Sequence, residues 1–229
     1  MLGGWNGTAE KTFNDIYIFS IDEQNWSKQP TSGRGVAPLY GHSATLLNDN
    51  QLFVYGGNWK DENAAGGFAM SSEMRVLDTD TWVWSRFVQR GDLVPPRYGH
   101  TTLAVGSHLI VFGGWAGLNR AVRTVKSDST SVSASQTISG VSSQASQQVA
   151  APAEVYAYDT EKHEWSSPLI AGHCPTSRYY HSATMVGTKI CFFAGCDNAN
   201  PKNDFHVLET KTEIFEEVDE WGEGGEGQQ

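Results

Sequence analysis

Basic charge is scarce in this chain: 16 Lys and Arg stand against 26 Asp and Glu over 229 residues, a net charge of −10. Nucleic-acid binding draws much of its affinity from cations that neutralise phosphates, so this balance argues against a nucleic-acid partner. Cysteine is scarce too. Cys174, Cys191 and Cys196 form no C-x-x-C pair, and an odd count fits reduced thiols better than a disulfide framework. No apolar run approaches the roughly 18 residues of a membrane helix. The N-terminal MLGGWNGTAE has neither the basic region nor the apolar stretch of a signal peptide. The expected setting is cytoplasmic, with no membrane partner. The triplets Asn6-Gly7-Thr8 and Asn25-Trp26-Ser27 are then chance matches to a glycosylation signal. A nucleophile elbow, a P-loop and an H-E-x-x-H motif are missing as well.

What the chain has is glycine (24), tryptophan (8) and a repeat. Four times a pair of small residues closes an apolar run: Gly3-Gly4, Gly56-Gly57, Gly113-Gly114 and Ala194-Gly195. Each pair is followed by an acidic residue and then an aromatic: Asp22 and Trp26, Asp78 and Trp84, Asp159 and Trp165, Glu209 and Phe215. The last three pairs are preceded by His42, His100 and His181, and a glycine stands nine residues before each histidine, at Gly33, Gly91 and Gly172. From histidine to the end of the small pair the chain runs 15, 14 and 14 residues (42 to 57, 100 to 114, 181 to 195). Self-similarity at a fixed period marks units that bury their apolar faces only against neighbours, which overrides the usual prior of one or two compact domains.

Within a unit the pattern reads as four short strands. In the second unit these are His42–Leu47, Gln51–Tyr55, Met74–Leu77 and Trp82–Val88, with Asn48-Asp49-Asn50 and Asp78-Thr79-Asp80 as turns. The third repeats this order with His100–Val105, His108–Phe112, Val155–Tyr158 and Trp165–Leu169. The fourth does so with His181–Val186, Lys189–Phe193, Asp204–Leu208 and Ile214–Val218. The second strand of each unit is almost wholly apolar, as for a strand covered on both faces. Four strands per unit with short turns predict an all-β fold, a β-propeller; a solenoid of hairpins is the alternative.

The residues Pro96-Arg97-Tyr98-Gly99-His100, Leu109-Ile-Val-Phe-Gly-Gly114 and Val155-Tyr-Ala-Tyr-Asp159 with Trp165 resemble the kelch repeat, whose unit is about 50 residues long. The likeness covers almost the whole chain. Gly33, Gly91 and Gly172 make it look more like kelch proteins of the intracellular scaffold and effector type than like ubiquitin-ligase adaptors. The resemblance implies that Gly3, Gly4, Gly56, Gly57, Gly113, Gly114, Gly195, His42, His100, His181, Trp26, Trp84 and Trp165 are structural motif positions. Departures concentrate in the fourth unit, where Tyr180, Ala194 and Phe215 replace Gly, Gly and Trp; in the second, Leu39 stands where Arg97 stands later.

The expected organisation is a partial blade I (1–31), blade II (32–89), blade III (90–170) with a Ser-rich insertion (122–152), blade IV (171–218) and an acidic Gly/Glu tail (219–229). Blade I is expected to lack its first two strands. That gives about three and a half four-stranded blades, an open arc near the lower limit of the roughly 4–8 blades of closed propellers. It would be a fragment of a larger propeller or half of an assembly. The insertion, rich in Ser, Gln, Ala and Val, and the tail are expected to be disordered.

Length varies between the second and third strands: the small pair lies 18, 21, 45 and 14 residues before the acidic turn residue (4 to 22, 57 to 78, 114 to 159, 195 to 209). Loops on a rigid scaffold are where recognition concentrates, and the kelch resemblance puts these loops on one face with the blade-to-blade connections. Trp5, Trp59 and Trp115 open them, and with Arg34 and Arg90 they are the candidate partner-binding residues, since Trp and Arg most often dominate interface energy. Local packing within the loops is the bland alternative.

Chemistry has little footing. His42, His100 and His181 sit on separate sheets and should not converge on one ion, and neither His173-Cys174 with His181 nor Glu154, Asp159 and His163 has a spacing that makes a metal site. Gly222-Glu-Gly-Gly-Glu-Gly227 matches a phosphate-loop pattern by letter alone, and Glu223 and Glu226 would repel phosphate. The expectation is a non-enzymatic module without metal, cofactor or catalytic residues that binds another protein through its loop face, with self-association through open blade edges. Two alternatives stand beside it: a structural part of a larger propeller or complex, and an enzyme or small-molecule site at the propeller axis.

Overall fold

The computed structural model describes residues 1–64, 67–117, 154–198 and 200–210, all of them in strands, turns and connections. A first sheet holds β1 (Leu2–Asn6), β2 (Lys11–Ser20) and β3 (Asn25–Gln29) in that order. Next come β4 (Ser32–Gly33), β5 (Ser43–Leu47), β6 (Gln51–Tyr55), a side hairpin of β7 (Asn58–Lys60) and β8 (Phe68–Met70), then β9 (Met74–Asp78) and β10 (Val83–Ser85). Apart from the hairpin these form a sheet ordered β4-β10-β9-β6-β5. The third sheet, β11-β15-β14-β13-β12, repeats that order with β11 (Arg90–Gly91), β12 (Thr101–Val105), β13 (His108–Phe112), β14 (Val155–Asp159) and β15 (Glu164–Ser166). The fourth joins β16 (Ser182–Val186), β17 (Lys189–Phe193) and β18 (Phe205–Glu209). The innermost strands β5, β12 and β16 lie side by side. The four sheets are blades of a β-propeller that does not close into a ring.

Alternation along each strand sends one face to the preceding blade and the other to the following one. Leu109 and Val111 of β13 join Tyr156, Tyr158 and Trp165 against Phe53, Tyr55, Met74 and Val76 of blade II. Phe112, the residue after Val111, turns the other way and stacks on Phe192 of blade IV at 4.1 Å. A central strand covered on both faces has no place for an alternating polar residue, hence the continuous apolar runs. Each large side chain buried at such a junction contributes about 1.5–3 kcal/mol.

Several expectations change. Blade I keeps more than its outer half: Gly3-Gly4 lies within β1 rather than ending a strand, with a register shift between Leu2 and Gly4. β2 extends back to Lys11 because Trp5 and Asn6 pair with Thr12 and Lys11, and the turn between them is fixed by Asn6 Oδ1 accepting the Thr8 and Ala9 amides. Blades II and III have five strands instead of four. The connections through Gly33 and Gly91 add a short parallel outer strand against β10 and β15. Phe193, the counterpart of buried Tyr55 and Phe112, is 50% exposed, because it faces the side of blade IV on which no described blade packs. The expected strand at 214–218, the insertion at 122–152 and the tail lie outside the described residues.

The blades are joined by a wedge between histidine and glycine. The His100 ring of blade III tucks beneath Gly56 of blade II: a Cβ on Gly56 would stand 2.5 Å from His100 Cε1, and Gly56 has φ +69°. Gly114, in His100's own blade, is pressed against the backbone end of the same residue, 2.8 Å from a Cβ there to His100 Cβ. Above the wedge the Gly57 amide donates to Arg97 O at 2.8 Å, and one blade later the Gly114 amide donates to Arg178 O at 2.8 Å. The His100 Nε2 shares a hydrogen bond with Ser43 Oγ of blade II (2.8 Å), and His181 Nε2 does so with Thr101 Oγ1 (2.8 Å). Buried Arg97 and Arg178 donate to the carbonyls of Gly113 (2.7 Å) and Ala194 (3.1 Å) and pair with Glu154 and Asp204. In blade II, Leu39 leaves Glu73 without such a partner, and Arg75 and Arg86 bind it instead. Ala194 and Tyr180, at glycine positions, retain positive φ (59° and 54°), so the backbone persists where the residue type does not.

Two outcomes follow from the wedge. Replacing Gly114 by Val should cost about 2 kcal/mol or more. Gly4→Val should cost less, since nothing lies within 4 Å of a Cβ at Gly4. Equal thermal shifts for the two variants would contradict the wedge. The second outcome concerns pH. Burial lowers the His100 pKa to about 3, with the Arg97 charge adding to it, and lowers those of His42 and His181 to about 4. Unfolded histidines take up protons below about 6.5, whereas the folded ones do not until far lower, so acid favours the unfolded chain. Melting temperature should be flat above pH 7 and fall from pH 6.5 toward 4. His100→Gln should flatten part of that slope, and an unchanged slope would refute the assignment.

Candidate functional site: aromatic rings on the loop face

The residue after each glycine pair in blades II to IV forms a two-bond bridge with the residue two positions before the blade's histidine: Asn58 with Tyr40, Trp115 with Tyr98, Cys196 with Tyr179. These bridges tie the loops between second and third strands to the blade-to-blade connections, so both share one face. Along that face the Gly99 amide donates to Gly41 O and the Tyr180 amide to Gly99 O, each at 2.7 Å. That ladder fixes the spacing of the tyrosine rings. Tyr40 and Tyr98 stand 6.2 Å apart between centroids, Tyr98 and Tyr179 6.4 Å, and Tyr98 and Tyr180 6.0 Å.

Tryptophans flank the row. Trp5 packs on Tyr40 at 5.5 Å and on Phe68 at 6.4 Å, and Trp115 meets Tyr179 edge-on at 6.0 Å. Offset and edge-to-face pairs of this kind add about 0.5–1.5 kcal/mol beyond burial. The rings lock their neighbours while leaving flanks in solvent: Trp5 is exposed, Tyr40, Tyr98, Tyr179 and Trp115 are half-buried, and Tyr180 is exposed. Burial raises the Tyr40 and Tyr98 phenols, and carries Tyr180, with its tyrosine neighbours, to about 12. A hydrogen bond with Cys196 raises Tyr179. The belt is therefore uncharged at neutral pH and offers hydroxyl donors beside aromatic faces. Asn58, in the position of Trp115, instead donates from Nδ2 to Tyr40 Oη at 3.0 Å. Lys60 bonds Glu10 at 2.7 Å and holds the loops of blades I and II together at the rim.

Of the residues singled out in the sequence, Trp5 and Trp115 belong to this belt. Trp59 lies nearby on β7, opposite Ala69 and half-buried. Arg34 and Arg90 do not join them. Arg34 follows the outer strand β4, and its carbonyl accepts from Arg75 Nη1. Arg90 pairs with Glu164, while Trp115 follows the Phe112 end of the same sheet, so the two sit on opposite ends of blade III. Around Arg90 an open groove of about 650 Å³ is lined by Val88, Glu161, Lys162, His163 and Glu164. The tyrosines escaped the sequence reading, although the recurring Tyr-Gly-His at Tyr40 and Tyr98, and Tyr-Tyr-His at Tyr179, carried them in plain view.

Trp84 and Trp165 are buried at blade junctions, their Nε1 atoms donating to Thr31 Oγ1 (3.2 Å) and Gln89 Oε1 (2.7 Å), while Trp26 is exposed. His173 neighbours His206 rather than His181. Glu154 holds Arg97 at one end of β14, and Asp159 accepts turn amides of Glu161 and Lys162 at the other. Among the described residues no group of three or more His, Cys, Asp or Glu is placed to hold a metal ion.

A family model described as the KLHDC2/KLHL20/DRC7 Kelch-repeats domain matches residues 1–153 and 145–227. Among curated proteins the chain is similar to Kelch domain-containing protein 3 of Bos taurus, 26% identical over 218 residues, 88% of this chain and 48% of that protein. It is similar to Acyl-CoA-binding domain-containing protein 4 of Arabidopsis thaliana, 26% identical over 208 residues, 86% and 25%. It also resembles Host cell factor of Drosophila melanogaster, 24% identical over 204 residues, 81% and 11%. The chain spans at most about half the length of these relatives. The match over nearly all its length, with the blade order and the histidine–glycine junctions, shows that the chain belongs to the kelch-repeat family.

Proposed function

We propose that this chain is a protein-interaction module whose loop face, centred on Trp5, Tyr40, Tyr98, Tyr179, Tyr180 and Trp115, binds a partner protein. The observation that carries the reading is the belt: six aromatic side chains from four blades brought to one face, held by backbone bonds, with rings open to solvent. Rigid aromatic anchors lose little conformational entropy on binding and are enriched among residues that dominate interface energy. The relatives support the same class. The repeats occur in a protein named for acyl-CoA binding and in a host cell factor, as a minor part of chains with different names, as a portable recognition unit would. The three cysteines, none of them in a disulfide, support a cytoplasmic setting, which fractionation would test.

Binding is the activity this belt supports, because its phenols stay protonated at neutral pH and present aromatic faces to solvent. The test is affinity capture with three chains: the wild type, Tyr98→Ala with Trp115→Ala, and Arg90→Ala on the opposite face. Proteins held by the wild type and by Arg90→Ala should be lost with the belt variant, a weakening of about 30-fold for about 2 kcal/mol. A chain lacking 122–152 should retain them. Retention by a folded belt variant would defeat the proposal.

A further inference from the structure

One corner of blade II gathers more positive charge than the fold uses. Where the third strand of a blade begins, the acid ahead of it is held by one buried arginine: Arg97 for Glu154 in blade III and Arg178 for Asp204 in blade IV. Blade II has Glu73 in the place of those acids but Leu39 in the place of the arginines. Two other arginines converge on Glu73. Arg75, 6% exposed, donates to it from Nε at 3.1 Å and from Nη2, and the exposed Arg86 reaches it from Nη2 at 3.2 Å. Arg75 Nη1 also donates to the carbonyl of a third, Arg34, at 3.3 Å. Arg34 is exposed, and among the described residues no carboxylate pairs with its guanidinium.

Three guanidiniums against one carboxylate leave a local positive excess in a chain of net charge −10. The matching corner of blade III has none, since Asp92, Tyr156 and Ser167 stand there in the places of Arg34, Arg75 and Arg86. Glu73 precedes Met74, the partner of Tyr55, so the corner lies at the loop-face end of blade II. Arg34 and Arg86 follow the ends of the neighbouring parallel strands β4 and β10, whose backbones run about 4.8 Å apart.

We propose that this corner is a docking site for an acidic segment of a partner protein, whose Asp or Glu carboxylates bind Arg34 and Arg86 while Arg75 stays on Glu73. Guanidinium forks match carboxylates in paired, charge-assisted hydrogen bonds. Charge selects the occupant: an acidic segment is repelled by most of this chain and attracted here, where each carboxylate also relieves repulsion among the arginines. Glu73 favours singly charged carboxylates over a phosphate, whose second charge it opposes. Two acidic side chains of one extended segment suffice for two arginines on adjacent strands. The site shares no residue with the aromatic belt, so either reading stands or falls without the other.

Fluorescence anisotropy of the 229-residue chain with labelled hexaglutamate, and with labelled hexaglutamine as the neutral control, tests the proposal at low ionic strength. Hexaglutamate should bind and hexaglutamine should not, and added salt should weaken the binding by screening the charges. Arg34→Gln and Arg86→Gln should each weaken it by about fivefold. Both side chains are exposed, so melting should not change. Arg90→Gln, at the opposite end of its blade, should bind as the wild type does. Inorganic phosphate should displace the peptide no more readily than free glutamate. Absence of binding by the wild type, an equal loss in Arg90→Gln, full binding by a folded double variant of Arg34 and Arg86, or readier displacement by phosphate would each overturn the proposal.

Discussion

The contact on which the rest of the structure depends is the histidine wedge between blades. A propeller blade cannot bury its faces alone, so each blade needs a fixed angle and height against the next. Gly56 has room for His100 only because it lacks a Cβ, and its positive φ turns the chain so that the following amide reaches Arg97 O. A buried imidazole with a lowered pKa serves here because it is neutral. It fills volume and hydrogen-bonds Ser43 without a charge to solvate.

The functional face follows from the same junction. His42, His100 and His181 each stand two residues after a tyrosine of the belt, so fixing the histidine fixes the ring. The amide ladder through Gly41, Gly99 and Tyr180 then sets ring spacing near 6 Å. Tyr180 shows the trade: its left-handed backbone costs about 1–2 kcal/mol relative to glycine, and in exchange a fourth ring joins Tyr98 and Tyr179.

Much of this was legible because the repeat samples each position several times. The glycine pairs, the histidines and Trp84 and Trp165 could be assigned by recurrence, and burial on both faces explains why Gln51–Tyr55 and His108–Phe112 read as continuous apolar runs. What escaped was whatever depends on neighbours rather than on letters. Phe193 matches Tyr55 and Phe112 in sequence but has no blade over it, so its exposure is opposite to theirs. The outer strands β4 and β11 are two residues long and parallel, too short for a periodic signal. Trp5 and Trp115 looked separate, 110 residues apart (5 to 115), and only the tyrosines between them make one surface. Arg34 and Arg90 were chosen by residue type, which says nothing about the end of a sheet on which a side chain lies.

Amide hydrogen exchange at Gly57 and Gly114 tests the account most directly, because those N–H groups lie in connections yet bond across a blade boundary. If the wedge holds the blades, both amides should exchange only as slowly as the central strand amides of Val54 and Val111, through global unfolding. Exchange at loop rates, with the strands still protected, would show that the blades are coupled by apolar contact alone and would contradict the account.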